Sequence, residues 1–182
     1  MAFLHSIRAK AGRFILRRKI QSISRKKEFI NLETAGSIGI LFHHTDNDGF
    51  RSIQKFLKQC TEQKKQVYAI GYVEADDIPE HYVLKRGFNF FCLKDLNWYF
   101  KPEPDFVLDF AEREFDIMIN LSLDNYFPVE YLYATSRAKF KISRYMEDQD
   151  YSDLYIDIKD NRDIDYLIQQ IIHYLNLINK KQ

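Results

Sequence analysis

The chain of 182 residues carries 27 lysines and arginines against 26 acidic residues, and 46% of its residues are hydrophobic. This composition excludes a largely disordered chain and suits one domain, or one domain with an extension. Because no run of 18 apolar residues occurs, the sequence also excludes a helix that crosses a membrane, and we expect a cytoplasmic protein without a secretory signal.

The net charge of +1 conceals a strongly basic N-terminal segment. Residues 1–30 contain nine lysines and arginines and one glutamate, a net charge of +8, whereas the remaining residues contain 18 basic and 25 acidic groups, a net charge of −7. A basic segment on an acidic body predicts an arm that binds an anionic surface. The candidate binding residues are Arg8, Lys10, Arg13, Arg17, Arg18, Lys19, Arg25, Lys26 and Lys27.

Residues 2–17 have the periodicity of an amphipathic helix. Its apolar residues fall within one arc of about 120°, and they are Phe3, Leu4, Ile7, Ala11, Phe14 and Ile15. We therefore predict a basic amphipathic helical extension over residues 1–30. Two roles stay open for the apolar arc: it packs on the chain's own domain, with the cations solvated or paired to acidic groups, or it contacts a partner.

From Gly36 onward, short apolar runs alternate with helical patterns. Strands are predicted at residues 38–43, 67–73, 88–93, 115–121, 139–143 and 154–158. Helices are predicted after the turn at 45–49 and at 105–114, 127–136 and 163–179, whereas 76–86 is a loop or short helix and 95–104 an ordered loop. This alternation predicts a single Rossmann-like α/β domain over residues 36–182. Its three layers would be a mostly parallel twisted sheet of about five to six strands with helices on both faces.

Ligands of such sheets bind beyond the carboxyl ends of the strands, where the strand order reverses. The loops after the first and fourth predicted strands are polar, and their candidate ligand residues are His44, Asp46, Asp48, Ser122, Asp124 and Asn125. The alternative role of these side chains is to form turns and to cap the helices that follow. A third loop, residues 98–101, has three aromatic residues beside a lysine, which suits either base stacking or closure of the core edge.

No motif in the chain predicts catalysis. A glycine-rich dinucleotide loop, a P-loop and a nucleophile elbow are all missing from the sequence. Cys60 and Cys92 stand apart from each other and from any histidine at ligand spacing, so we expect two reduced core residues. We predict no catalytic residue, no resident metal and no cofactor.

Two resemblances bear on fold and function. The stretch from Phe115 to Arg144, FDIMINLS…EYLYATSRAKFKISR, is similar to the β–α–β unit of heptosyltransferase-like glycosyltransferases, although Ser143 stands where that family has glycine. This resemblance implies a single-domain remnant of a fold that binds nucleotide sugars. Over its whole length the chain resembles an uncharacterised α/β family from Bacteroidetes, through residues 115–120, 136–142 and 151–157. That resemblance implies a bacterial host and adds no chemistry.

Three functions follow as hypotheses. The first is a non-catalytic binding protein whose basic arm docks on RNA, such as the ribosome, or on another anionic surface. The second is a peripheral protein of an anionic membrane, placed at the inner membrane. The third is the glycosyltransferase-like remnant, with a ligand at the loops that hold Asp46 and Asp124.

Overall fold

A computed structural model describes residues 2–44, 46–83, 85–147 and 149–177, without the side chains of residues 2–5, 81 and 83. The helices are α1 (Ala2–Gln21), α2 (Asn47–Glu62), α3 (Glu80–Val83), α4 (Asp105–Glu112), α5 (Phe127–Thr135) and α6 (Ile164–Leu177). The strands are β1 (Ser37–His43), β2 (Gln66–Val73), β3 (Phe88–Cys92), β4 (Ile117–Asn120), β5 (Phe140–Arg144) and β6 (Leu154–Ile156). A short 3-10 turn, Leu93–Asp95, follows β3.

The six strands form one sheet in the order β3-β2-β1-β4-β5-β6, and every neighbouring pair is parallel. The predicted three-layer α/β fold is therefore confirmed. The strand order reverses between β1 and β4, whose register pairs Leu41 with Asn120. The carboxyl ends of β1 and β4 consequently lie side by side, which is where this architecture binds ligands.

Side chains alternate between the two faces of the sheet, as the pleat requires. On β1, Ile38, Ile40 and Phe42 belong to the core shared with α2 and α6, whereas Leu41 belongs to the core shared with α4 and α5. Both faces are covered, so the strands read as nearly continuous apolar runs rather than as alternating patterns. This is why short runs such as residues 38–43 predicted the strands well.

Helix α5 is buried around its whole circumference, because Pro128 and every residue from 129 to 135 are buried. A helix that is apolar on all sides needs a second cover besides the sheet. Helix α1 supplies that cover, and Leu16, only 1% exposed, packs against Tyr131 and Ala134 of α5. The division of the chain into an arm of residues 1–30 and a domain of residues 36–182 stays a prediction.

Gly12 sets how closely α1 approaches the body. A β-carbon at this position would lie 2.5 Å from the carbonyl oxygen of Tyr99 and 2.8 Å from the ring of Phe127. Both distances are far below van der Waals contact, so only glycine fits. The face of α1 that contacts the body therefore has a small residue, Gly12, at its centre and an apolar residue, Leu16, one turn further along the helix.

The boundaries of a few elements differ from the predictions. Helix α1 continues to Gln21, beyond the predicted end at residue 17. Strand β4 spans four residues rather than 115–121, and Asp116 just before it uses its carboxylate to accept from the backbone amides of Gly36 and Ser37, at 2.8 and 3.1 Å. Helix α6 buries Ile164, Leu167, Ile168, Ile171 and Leu175 and half-buries Ile172. Ile178, in the predicted helix 163–179, lies outside the described residues.

Candidate functional site

The solvent-facing side of α1 is the apolar arc that the sequence predicts. Ile7 is 44% exposed and Phe14 is 57% exposed, although each is a large apolar side chain on a helix that packs against the body. They are seven residues apart, so they lie on one face, two turns from each other. The side chains of Phe3 and Leu4, which belong to the same arc, lie outside the described part of the chain. At Ile7 and Phe14 the arc does not pack on the domain, and a different face does.

Exposed cations lie along α1. Lys10, Arg13, Arg17 and Lys19 are exposed, and within the described ranges none of them forms an ion pair. The Arg18 guanidinium lies 4.5 Å from the centroid of the Phe14 ring. Lys10 and Arg17 lie beside Ile7 and Phe14 around the helix, whereas Arg13 and Lys19 line clefts against the body. Helix α1 therefore presents an apolar and cationic surface turned away from its own domain.

Arg8 anchors the start of α1 to the aromatic loop 98–101. Its Nε donates to the Trp98 carbonyl, and its guanidinium lies 4.2 Å from the centroid of the Phe100 ring. Trp98 itself is 59% exposed. A third large exposed side chain thus lies in the loop that contacts α1.

The last three predicted cations have local partners. Arg25 binds Asp153 through two 2.7 Å hydrogen bonds, and the Lys27 amine lies 3.6 Å from the same carboxylate. Lys26 lies 3.7 Å from Glu28, with both side chains exposed. Arg25 and Lys27 hold the segment after α1 to the body, whereas Lys26 pairs within the segment itself.

The six predicted ligand residues at the strand ends have several different neighbours. Asp46 and Asp48 line a cavity of about 380 Å³ together with Arg162. Asp46 caps α2 by accepting from the Gly49 amide at 2.8 Å, and Asp48 pairs with Arg51 at 3.0 Å. Asp124 pairs with Arg162 at 2.5 Å. These three carboxylates therefore have partners within the chain.

The other three of the six lie in separate surroundings. The ring centroids of His44 and Tyr82 are 5.1 Å apart, and Ser122 is buried with its Oγ unpartnered among the described residues. Asn125 lines a crevice of about 320 Å³ at the carboxyl edge, between Tyr126 and Arg13 of α1. The crevice lies where the fold predicts a ligand, and α1 forms one of its walls.

His43, which the sequence analysis did not select, lies at the centre of this edge. Its ring stacks on Tyr126, with centroids 3.6 Å apart and planes 10° apart. Burial and the charge of His44 lower the pKa of His43 to about 4, and the carboxylate of Asp124 opposes this shift. Its Nε2 is unpartnered among the described residues, like Ser122 Oγ and Arg144 Nε at the ends of β4 and β5. Strand parity could have identified His43, because it points away from the Phe42 side of the sheet.

The described residues contain neither a candidate metal site nor a candidate membrane-spanning helix. Among the described residues no group of three or more His, Cys, Asp or Glu side chains could hold a metal ion, and no helix is long and apolar enough to cross a membrane. Cys60 and Cys92 are free and buried, as predicted.

Comparison with known proteins gives one match. A family model described as a family of unknown function (DUF6913) matches residues 8–178, from the first half of α1 to the end of the described chain. Searches of curated proteins and of solved structures found no match.

Proposed function

Since the chain belongs to this family of unknown function, we propose a role from its own geometry, that of a non-catalytic binding protein. It docks on an anionic surface through α1. This surface is a membrane with anionic lipids. One observation supports the proposal most: Ile7 and Phe14 face solvent while the opposite face of α1 is fixed on α5.

The exposed face of α1 has the composition of an interfacial helix. Such a helix places its apolar side chains at the boundary between headgroups and acyl chains, and its lysines and arginines among the anionic headgroups. Each cation near an anionic leaflet contributes about 1 kcal/mol of attraction. Within the described part of the chain Lys10 and Arg17, which lie beside Ile7 and Phe14, form no ion pair, so their charge is available to lipids.

The surroundings of α1 support the same orientation. Trp98, exposed in the loop that Arg8 contacts, is the residue type most typical of the membrane interface. Leu16 and Gly12 hold the helix on the body in one orientation, so docking needs no detachment of α1. The protein would therefore be peripheral, held at the cytoplasmic face of the membrane.

RNA is the other anionic surface that the basic arm predicts. Phosphate contacts require cations, and they gain nothing from exposed aliphatic side chains such as Ile7. A membrane uses both features, and for this reason we place it first. Binding to ribosomal RNA becomes the second outcome of the same experiment.

Flotation with liposomes tests the proposal. The full chain should float with vesicles that contain phosphatidylglycerol at low salt, and it should stay at the bottom with phosphatidylcholine alone. The double variant Ile7→Ser/Phe14→Ser should lose flotation at unchanged charge. Its matched control is Leu177→Ser, which removes a 60% exposed apolar side chain from α6.

A charge variant separates the lipid from the RNA. Lys10→Gln/Arg17→Gln should weaken flotation, whereas Lys55→Gln/Lys58→Gln on α2 removes two charges and should have no effect. A wild-type protein that fails to float with anionic vesicles at low salt contradicts the membrane proposal. Binding to ribosomal RNA that needs Lys10 and Arg17 but tolerates Ile7→Ser/Phe14→Ser would assign the arm to RNA instead.

The crevice at the carboxyl edge supports a second candidate function. It lies at the edge of the sheet where this architecture binds ligands, and Asn125, one of the six predicted ligand residues, lines it together with Tyr126. A ligand at about 100 times its dissociation constant stabilises a protein by about 2.7 kcal/mol. A thermal-shift screen with nucleotide sugars should raise the Tm if this candidate is right, and an unchanged Tm across the screen contradicts it.

A further inference from the structure

A second cavity lies at the C-terminal end of α5, whereas the carboxyl-edge crevice lies at its N-terminal end. It is a cleft of about 420 Å³ between the segment that follows α1 and the connection from β5 to β6. Its polar lining includes Ser24, Arg25, Lys27, Ser136, Lys141 and Asp150. None of the residues proposed above to contact lipid lines this cleft.

Lys141 is the unusual residue of the cleft, because its side chain is only 2% exposed. Its Nζ donates to the Ala134 carbonyl at 3.3 Å and lies 4.7 Å from the centroid of the Tyr133 ring. An ammonium group has three donors, and the described residues accept one of them. A buried charged group with unfilled hydrogen-bonding capacity is costly unless a ligand completes it.

The charges around Lys141 do not balance. Arg25 and Lys27 approach from the segment after α1, and both act to lower the pKa of Lys141. The buried carboxylate of Asp153 faces all three cations, but Arg25 already occupies both of its oxygens, at 2.7 Å each. Asp150 at the rim is exposed and accepts from the Tyr155 hydroxyl at 3.3 Å. One positive charge is left over in a partly enclosed space.

We propose that this cleft binds a phosphate group, free or as a monoester, through Lys141, Lys27 and the hydroxyl groups of Ser24 and Ser136. The inference does not depend on membrane docking.

The donor set favours a compact oxyanion. Two ammonium groups supply charge, and hydroxyl groups donate without adding charge. Ser136 Oγ accepts from the Ala138 amide at 3.2 Å, which leaves its own proton free to donate. Asp153 holds Arg25 in place, so the positive charge of Arg25 attracts the phosphate without a direct hydrogen bond to it.

Protonation of Lys141 should control binding. Burial and the charges of Arg25 and Lys27 lower the pKa of Lys141 to about 7, and Asp153 opposes them. Tyr133 and Tyr151 also face the cleft or Lys141, but burial raises the pKa of both phenols, so they stay neutral near pH 7. An anion in the cleft favours the ammonium form, and affinity should fall as the pH rises above about 7. Sulfate, whose charge does not change in this range, is the probe for that dependence.

Calorimetric titration with inorganic phosphate is the test. The wild-type protein should bind phosphate, and Lys141→Met should bind at least about tenfold more weakly, because a hydrogen bond to a charged group is lost. Lys26→Met is the matched control, since it removes a neighbouring exposed cation that does not line the cleft. Lys27→Gln and Ser24→Ala, both at exposed positions, keep the test valid if Lys141→Met fails to fold.

Two further measurements identify the source of the phosphate. Glycerol phosphate should compete with inorganic phosphate if the natural ligand is soluble. If the ligand is a lipid headgroup, vesicles with phosphatidic acid should be preferred over phosphatidylglycerol, and Lys141→Met should remove that preference while Ile7→Ser/Phe14→Ser removes flotation altogether. Wild-type protein without measurable phosphate binding, or equal affinities in Lys141→Met and Lys26→Met, overturns the inference and leaves the membrane proposal standing.

Discussion

Arg25 and Asp153 form a two-pronged ion pair, Nη1 to Oδ2 and Nη2 to Oδ1 each at 2.7 Å, that joins the segment after α1 to the turn before β6. Arg25 is 12% and Asp153 10% exposed at the side chain, so water screens the pair weakly. Arg25 also donates to the carbonyls of Ala138 and Lys139 at 3.2 Å each. One side chain thus connects the N-terminal segment, β5 and β6.

Arg25→Gln is expected to destabilise the protein by about 3–5 kcal/mol, since it leaves a largely buried carboxylate without its partner. Urea unfolding measures the loss. The double variant Arg25→Gln/Asp153→Asn should recover part of it, because the neutral amide needs no cation. Equal losses in the single and double variants would contradict a direct coupling between the two residues.

Asp153 should also contribute to acid sensitivity. Burial by itself raises the pKa of Asp153, but the hydrogen bonds from Arg25 and the Lys141 amide and the charges of Arg25 and Lys27 lower it below its ordinary value. A lowered folded pKa stabilises the protein above the unfolded pKa of about 3.9, and this contribution disappears as the pH falls through the folded value. Asp153→Asn should therefore lose less stability than wild type below pH 4, measured by unfolding at pH 7 and pH 3.

Side-chain truncation should lower the free energy of unfolding strongly on the inward face of α1 and hardly at all on its exposed face. Leu16→Ala is expected to cost about 2–5 kcal/mol, because it opens a cavity against Tyr131 and Ala134. Phe14→Ala, on the exposed face, should change the free energy of unfolding by less than about 0.5 kcal/mol. Thermal unfolding of both variants measures the contrast, and a large loss at Phe14 would show that the exposed face packs on the body.

Hydrophobic periodicity predicted the strands well and the contact face of α1 poorly, for one physical reason. Strands buried on both faces are apolar throughout, so a run such as residues 38–43 is sufficient evidence. On α1 two residues of the predicted apolar arc, Ile7 and Phe14, point outward, and the inward face holds Gly12 and Leu16. Close approach of two helices selects for a small residue, which a hydrophobicity pattern does not register.

The sites were harder to predict because they depend on contacts between distant residues. Asp46 and Asp124 are polar residues at strand ends. Only the structure shows that Asp46 caps α2 and that Asp124 pairs with Arg162. Lys141 lies between Phe140 and Ile142 in a strand that is buried on both faces, and the sequence analysis did not select it. Its partners, Ala134 on α5 and Arg25 after α1, come from other elements.

His43 should destabilise the protein in mild acid. Its folded pKa of about 4 lies below the ordinary value of 6.5, so the unfolded chain binds the proton more tightly and stability falls as the pH drops from 6.5 towards 4. His43→Phe keeps a ring against Tyr126 and removes the proton, and it should gain about 1–3 kcal/mol over wild type at pH 4 relative to pH 7. Unfolding at both pH values measures this, with His173→Phe, an exposed histidine on α6, as the matched control. An unchanged pH dependence in His43→Phe would contradict the assignment.

Lys141 should give a pH dependence of the same sign in a higher pH window, above neutral pH. Its folded pKa of about 7 lies below the ordinary lysine value of about 10.4. Between these values the unfolded chain carries a proton that the folded chain has released, so stability rises with pH in that window, at a slope approaching about 1.4 kcal/mol per pH unit. Lys141→Met removes the titrating group and fills the same space with an apolar side chain, so the slope from pH 7 to 9 should flatten. It should also match or exceed wild-type stability at pH 7 in the absence of phosphate, since a poorly compensated buried charge is gone. Adding phosphate should then stabilise wild type and leave Lys141→Met unchanged. A wild-type stability that stays constant from pH 7 to 9 would show that Lys141 keeps its charge when buried.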